Sequence, residues 1–294
     1  MASLRDIRKR IKSVNNSQKI TKAMKLVSAS KLRRAQDAML AARPYASTLG
    51  SLLSRVAARA SAEAADDAPV HPLLELRAPK RVMLVVVTSD RGLCGAFNSN
   101  ILRRAERFIR ENGDRFEHLE VATVGRKARD YFKKRKMTTV RDYPGVFGDL
   151  TFRRASDIAE GLVSEFTAHK LDAVFVLFNE FKSAISQTVV VQDVLPLVQE
   201  ELPEAQASID YIYEPGQAEV LDRLIPRYVA VQVWRALLES TAAEHGARMS
   251  AMDAASKNAR ELADALTLQY NRARQASITR ELMDIVGGAE ALNG

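Results

Sequence analysis

The residues of this chain that could carry chemistry cluster after its first β-branched run, residues 82–87. The turn that follows contains Asp90, Arg91, Gly92 and Gly95. Glycine-rich turns between a strand and a helix bind phosphate in many α/β proteins, through backbone amides at the helix N-terminus. These two glycines do not form GxGxxG, and GxxxxGK[ST] occurs nowhere in the sequence. We therefore interpret Asp90 and Arg91 as a structural turn pair, and an α/β enzyme with helical arms stays an alternative.

Cysteine and histidine chemistry finds little support in the sequence. Cys94 is the only cysteine, which excludes a disulfide within the chain and a CxxC pair. The histidines lack metal-ligand spacing, and neither HExxH nor GxSxG occurs. We predict no catalytic residue, no cofactor and no metal site. The four histidines are His71, His118, His169 and His245.

The positive charge belongs to the N-terminal segment. The chain carries a formal charge of +8, and residues 1–43 hold twelve Lys and Arg against Asp6 and Asp37. Such a segment fits a solvated face, a nucleic-acid or acidic-protein partner, or an anionic membrane surface. No aromatic side chain suited to base stacking precedes Tyr45. A basic coiled-coil protein that binds nucleic acid stays a second alternative.

Two long helices must position most of these residues. Residues 4–43 contain no Gly or Pro, and Pro44 is predicted to end the first helix. Apolar and small residues recur there with 3-4 spacing, which is typical of a coiled-coil seam. Ile20, Met24 and Val27 form a second apolar stripe beside the polar middle of that seam. The seam consists of Leu4, Ile7, Ile11, Val14, Gln18, Thr21, Lys25, Ser28, Leu32, Ala35, Met39 and Ala42.

The second long helix is predicted to begin near Ala218 and to end at Gly287 and Gly288. One side of it carries small and medium side chains, which favours a helix-packing seam. Because the two helices lie at opposite ends of the sequence, a return of the chain allows them to pair antiparallel. The second seam consists of Met249, Met252, Ala255, Ala259, Leu262, Leu266 and Ala273.

Strand and helix patterns alternate between the long helices, which indicates a small α/β domain with a mostly parallel sheet. We expect four parts: an N-terminal helix at 1–60, a linker at 61–79, the α/β domain at 80–214 and a C-terminal helix at 215–294. The fold class is α/β plus long helices. Strands are predicted at 82–88, 119–124 and 173–179 with an antiparallel addition at 185–194, and helices near 99–111, 127–134 and 149–169.

Five stretches of the sequence resemble the γ subunits of F-type ATP synthases, of the bacterial kind. LRDIR at 4–8 and QKITKAMKLVSASK at 18–31 resemble the N-terminal rotor helix of that family. RQASITRELMDIVGGA at 274–289 resembles its C-terminal signature, and SDRGLCG at 89–95 and YIYEP at 211–215 match its middle domain. The stretches occur in the family's order across the whole chain.

The resemblance implies an antiparallel coiled coil of the terminal helices with a central Rossmann-like domain, and a non-catalytic rotor shaft. It implies coupling of proton-driven c-ring rotation to ATP synthesis on β subunits. The implied partners are three α and three β subunits, ε, δ and the membrane c ring, with no nucleic acid and with membrane contact only through partners. The expected location is the cytoplasmic face of a bacterial inner membrane, with an organellar energy-transducing membrane as the alternative.

The resemblance also assigns roles to individual residues. One group is expected to contact the α/β ring, although plain coiled-coil packing is the alternative around Met24. A second group is expected to turn as an apolar bearing. The rotor–stator contacts are Lys22, Met24, Lys25, Arg248, Gln275, Thr279 and Glu281, and the bearing residues are Ile278, Leu282, Ile285 and Val286.

Overall fold

The structure, a computed structural model, describes residues 3–63, 71–197, 213–214 and 216–293, and their side chains except those of 61–63 and 289–293. The chain forms two compact units. Unit 1 comprises Met1–Ser28 and Met249–Gly294, and unit 2 comprises Ala29–Arg248. Over the described residues, every helix is too short or too polar to cross a membrane.

The two long helices extend further than their local sequence signals predict. Helix α1 spans Leu4–Glu63, with Pro44 inside it, so the prediction that Pro44 ends the helix is wrong. A proline removes one backbone hydrogen bond, but Met39 and Leu49 on either side of it are both buried and keep the helix packed. Helix α5, the last of the chain, spans Gln217–Asn293 and contains Pro226.

The predicted stop at Gly287 and Gly288 is also wrong, because α5 continues through both. A glycine ends a helix by adopting a left-handed conformation. Neither glycine is among those with positive φ. The predicted start near Ala218 is confirmed.

A five-stranded sheet forms the centre of unit 2, in the order β3-β2-β1-β4-β5. The first four strands are parallel, and β5 is antiparallel to β4, as predicted. The three-residue β3 was not predicted because it is too short to show a pattern. The strands are β1 (Arg81–Val87), β2 (His118–Val124), β3 (Arg141–Tyr143), β4 (Ala173–Phe181) and β5 (Gln187–Leu195).

Helices cover both faces of this sheet. They are α2 (Phe97–Asn112), α3 (Arg126–Lys134) and α4 (Phe152–Thr167), each close to its predicted position. The alternating side chains of β1 divide between two apolar cores, as a strand buried on both faces requires. Val82, Leu84 and Val86 pack with α2 and α3, and Met83, Val85 and Val87 pack with α4 and α5.

The paired helices of unit 1 use the predicted seam of α1. Ile7 and Ser28 are buried, and the other seam residues between them are at least half-buried. Lys25 bonds Asp253 and Arg8 bonds Tyr270, which fixes an antiparallel pairing. The seam predicted on α5 needs one correction.

Leu262 was predicted to lie in that seam, but it is 51% exposed, and its neighbour Ala263 is buried instead. The prediction placed the seam at the larger side chain, but the buried position is the neighbouring alanine.

The predicted linker lies only partly within the described residues, because 64–70 fall outside them. Its remainder is part of unit 2: Leu73 is buried, and the Arg77 guanidinium lies 4.6 Å from the centre of the Phe166 ring. The segment 209–212 and Pro215 also lie outside the described residues. The division of the chain into four parts stays a prediction.

Candidate functional site

The turn after β1 is held by its own side chains. Ser89 Oγ donates to the Arg91 carbonyl at 2.5 Å, and the Asn98 side-chain oxygen accepts from the Ser89 amide at 3.0 Å. The Asn98 amide also donates to the Cys94 sulfur at 3.2 Å. Burial raises the pKa of the Cys94 thiol, so the sulfur is a packed acceptor rather than a nucleophile.

The Asp90 carboxylate accepts hydrogen bonds from three backbone amides, one of them at the N-terminus of α3. Its Oδ1 accepts from the backbone amides of Arg126 and Gly145 at 3.0 and 2.9 Å, and its Oδ2 accepts from that of Phe147 at 3.3 Å. Arg126 is the first residue of α3, where the helix dipole favours a negative charge. The chain's own carboxylate therefore satisfies this helix end.

Gly125 explains how β1 and α3 come so close. It has a φ of 93°, and a Cβ at this position would lie 2.2 Å from the Thr88 carbonyl oxygen. Thr88 Oγ1 in turn accepts from the Ala128 amide at 2.8 Å. The structural interpretation of the turn is supported, although Asp90 binds backbone amides and not Arg91 as predicted.

Arg248, a predicted rotor–stator contact, is buried inside unit 2. Its guanidinium bonds Glu244 at 2.6 Å and donates to the carbonyl oxygens of Gly92 and Arg91 at 3.1 and 3.4 Å. Desolvation raises the pKa of Glu244, against the opposing effect of Arg248. The arrangement joins α5 to the turn after β1. A contact of Arg248 with a partner stays a prediction, and its donors already have acceptors in this chain.

His245 completes this buried polar cluster. Desolvation, with the charges of Arg248 and Lys31, lowers the pKa of His245 to about 4. The imidazole is therefore neutral near pH 7. No side chain in the cluster is positioned as a nucleophile with an adjacent base.

The N-terminal contact group lies in unit 1. Lys22 is exposed, Met24 is half-buried, and the Lys25 ammonium lies 2.6 Å from Asp253 Oδ1. Ile20 and Val27, of the second apolar stripe, are 60% and 57% exposed. Two apolar side chains, Ile20 and Val27, therefore face outward near Lys22, while Lys25 binds within the helix pair.

The C-terminal contact group and the bearing residues share the last part of α5. Gln275, Thr279 and Glu281 are exposed, and Glu281 accepts from Ser277 Oγ at 3.1 Å. The bearing residues recur at helical spacing on one face, and each is between 48% and 68% exposed: Ile278, Leu282, Ile285 and Val286.

Sequence reasoning missed Glu244 and Asp253 as polar partners of these groups. Each lies four residues before a basic residue, Arg248 and Lys257, which is the spacing of an ion pair on one helix. That signal was present in the sequence, but it does not show which carboxylate also meets another element. Over the described residues, no three His, Cys, Asp or Glu side chains converge in a metal-binding cluster.

Comparisons with known proteins identify the family. A family model described as ATP synthase matches residues 3–292. The ATP synthase gamma chain of Anaeromyxobacter sp. (strain Fw109-5) is 57% identical over 294 residues, which cover 99% of this chain and 100% of the relative. That of Geobacter metallireducens is 52% identical over the full length of both chains.

Solved structures agree with this result. A chain from the central stalk and c-ring of the Tetrahymena thermophila mitochondrial ATP synthase is similar with a TM-score of 0.61 and 28% identity, over 81% of this chain and 99% of that one. A chain from the Euglena gracilis mitochondrial enzyme shares the fold, with a TM-score of 0.68 at 18% identity, over 98% and 94% of the two chains. This chain belongs to the ATP synthase gamma chain family.

Proposed function

We infer that this chain is the central-stalk rotor subunit of an F-type ATP synthase. It couples proton-driven rotation of the c ring to conformational change and ATP synthesis at the β-subunit sites. The observation that supports this best is the exposed apolar face at the end of α5, where Leu282 and Ile285 are 57% and 68% exposed. Apolar patches of this kind mark surfaces that a partner covers.

The bearing residues turn inside an apolar sleeve of the α/β ring. Ile278, Leu282, Ile285 and Val286 present aliphatic carbons with no fixed hydrogen-bond direction, so the contact is the same to within small energies at every rotation angle. Gln275, Thr279 and Glu281 lie among them and supply polar contacts that depend on angle. The combination provides low friction with discrete resting positions.

The N-terminal group acts on acidic loops of the β subunits. Lys22 supplies an exposed cation, and Met24 supplies an adaptable apolar contact beside it. Arg248 belongs to the same proposed contact set and needs to exchange an intrachain partner to join it, whereas Lys25 is already bound to Asp253 across the helix pair.

The subunit itself is non-catalytic. The Asp90 carboxylate accepts from the Arg126 amide at the N-terminus of α3, and ADP and phosphate join on the β subunits instead. Its partners are three α and three β subunits with the ε and δ subunits and the c ring. It lies at the cytoplasmic face of the bacterial inner membrane and reaches the membrane through those partners.

Reconstitution tests this function directly. The purified chain is mixed with the α and β subunits of the same synthase, and complex formation and ATP hydrolysis are measured; ATP-driven proton pumping is measured after the complex is returned to depleted membrane vesicles. We expect pumping only with the chain present. A matched pair of variants compares the same added charge at two exposed leucines. Leu282→Asp places it in the bearing, and Leu76→Asp places it elsewhere, on an exposed part of unit 2. If the chain forms no complex with the α and β subunits, the proposal is overturned.

A further inference from the structure

Two polar contacts tie the helices of unit 1 together at the same register. Lys25 Nζ lies 2.6 Å from Asp253 Oδ1, and Arg8 donates to the Tyr270 hydroxyl, with its guanidinium 5.4 Å from the ring centre. Lys25 lies 17 residues after Arg8, and Asp253 lies 17 residues before Tyr270. Antiparallel helices with one constant register require this equality.

Apolar packing alone specifies that register weakly. Near Lys25 the seam of α1 carries Gln18, Thr21 and Ser28, and the facing part of α5 carries Ser256 and Ala259 at half-buried positions. Small side chains leave shallow holes, so a displaced pairing loses little contact. A polar residue at a seam position is a recognised way to fix the register of a coiled coil.

A second cation supports the same carboxylate. Lys257 Nζ lies 3.0 Å from Asp253 Oδ2, so the two carboxylate oxygens serve the two lysines separately. The hydrogen bond from Lys25, then that from Lys257, lowers the pKa of Asp253. Lys257 is on the same helix as Asp253, so of these two lysines only Lys25 connects α5 with α1.

We propose that Lys25 and Asp253 lock the register of the helix pair in unit 1, so that Lys25 acts inside the shaft and not on the surrounding ring. This inference rests on the proposed rotor function only in the experiments that measure proton pumping. The lock resists sliding of one helix along the other when torque is applied. It also leaves Lys22 among the exposed cations of this region.

A charge exchange separates the two roles of Lys25. Lys25→Asp and Asp253→Lys each place like charges together, and the double variant restores an opposite pair with reversed polarity. An exposed ion pair changes an equilibrium by about 1.5- to fivefold, so we expect each single variant to lose coupled proton pumping by a factor in this range. The double variant should regain most of it. Lys22→Asp combined with Asp253→Lys is the matched control and should show no rescue.

Cross-linking of the full chain measures register without any assembly. Thr21 and Ser256 are half-buried positions within one residue of this register, so Thr21→Cys with Ser256→Cys should form a disulfide readily, whereas Thr21→Cys with Ala263→Cys reports a slip of one heptad. Native Cys94 is buried and stays in place. The single charge variants should slow the first cross-link relative to the second, and the charge exchange should restore the ratio.

Three results would overturn the lock. The first is a cross-linking ratio that is the same in the single variants and in the parent. The second is a charge exchange that restores the cross-linking ratio of the parent but not proton pumping. This result would assign Lys25 to a contact with an acidic loop of the ring. Full pumping in the single variants is the third. If the parent chain does not support pumping at all, the rotor function fails instead, and the cross-linking still decides the register.

Discussion

Units 1 and 2 of this chain bury their apolar residues to very different extents. In unit 2 the six residues Val82 to Val87 of β1 are each at most 2% exposed, and cores lie on both faces of the sheet. In unit 1 the buried residues follow a single seam, and large apolar side chains such as Ile20, Leu268 and Met283 are more than half exposed. Unit 2 therefore covers the apolar side chains of its sheet with its own residues, whereas unit 1 leaves large apolar side chains exposed.

We expect this difference to separate the residues that stabilise the isolated chain from those that matter only in the complex. A substitution in a core is felt by the isolated chain, because it removes contacts that the chain makes with itself. A substitution on an exposed apolar face changes little until a partner covers that face. Four predictions test this contrast, in order of decreasing effect on the stability of the isolated chain.

Phe166→Ala should have the largest effect. Phe166 is fully buried between α4 and the sheet, and the Arg77 guanidinium lies on its ring. Removing the ring should lower the free energy of unfolding by about 3–5 kcal/mol. Urea unfolding of the full chain, followed by the fluorescence of Trp234, the one tryptophan and a residue of unit 2, measures it. An unchanged unfolding midpoint would contradict the burial of this core.

Arg248→Met should come next, because it leaves the Glu244 carboxylate buried without its cation and frees the Arg91 and Gly92 carbonyls. Breaking a buried pair by removing one partner costs about 3 kcal/mol or more. Urea unfolding checks it, with the double variant Glu244→Gln and Arg248→Met as the control. The double variant should be more stable than Arg248→Met alone, since it removes the unpaired charge. A strictly additive result would count against the pair.

His245 should make unit 2 sensitive to acid. Its pKa is lowered from 6.5 to about 4 in the folded chain, first by desolvation and then by Arg248 and Lys31. The unfolded chain therefore binds more protons between these values, and stability falls as the pH drops from 6.5 toward 4. The linked loss between pH 7 and pH 5 is about 2 kcal/mol. His245→Gln should flatten the pH dependence of the urea midpoint. His118→Gln, on an exposed position of β2, is the control and should leave that dependence as in the parent.

Periodicity predicted the elements that are stabilised by their own pattern. The β-branched run of β1, the strands β2 and β4 and the antiparallel β5 all follow from side-chain alternation and burial. The seam of α1 also followed, including its polar middle at Lys25. Such patterns extend over many residues, so one exception does not change the interpretation.

Single-residue signals failed where packing overrode them. Pro44 and Gly287 are breakers by local rules, yet α1 and α5 continue through them. Leu262 looked like a seam residue because it is large, but the seam takes Ala263. Partners across the chain, such as Asp253 for Lys25, depend on which register two distant helices adopt, and a sequence of one helix does not contain that information.

Leu282→Ser should have the smallest effect on stability and the clearest effect on function. Leu282 is 57% exposed on α5, so its loss should change the free energy of unfolding by less than about 0.5 kcal/mol. In the reconstituted complex the hydroxyl would enter an apolar sleeve without a partner, and we expect lower ATP-driven proton pumping at unchanged complex yield. Leu282→Met, which keeps an apolar contact, is the matched control and should pump as the parent does. If both variants pump normally, this face turns free of the ring, and the contrast between the units then rests on Ile20, Met24 and Val27.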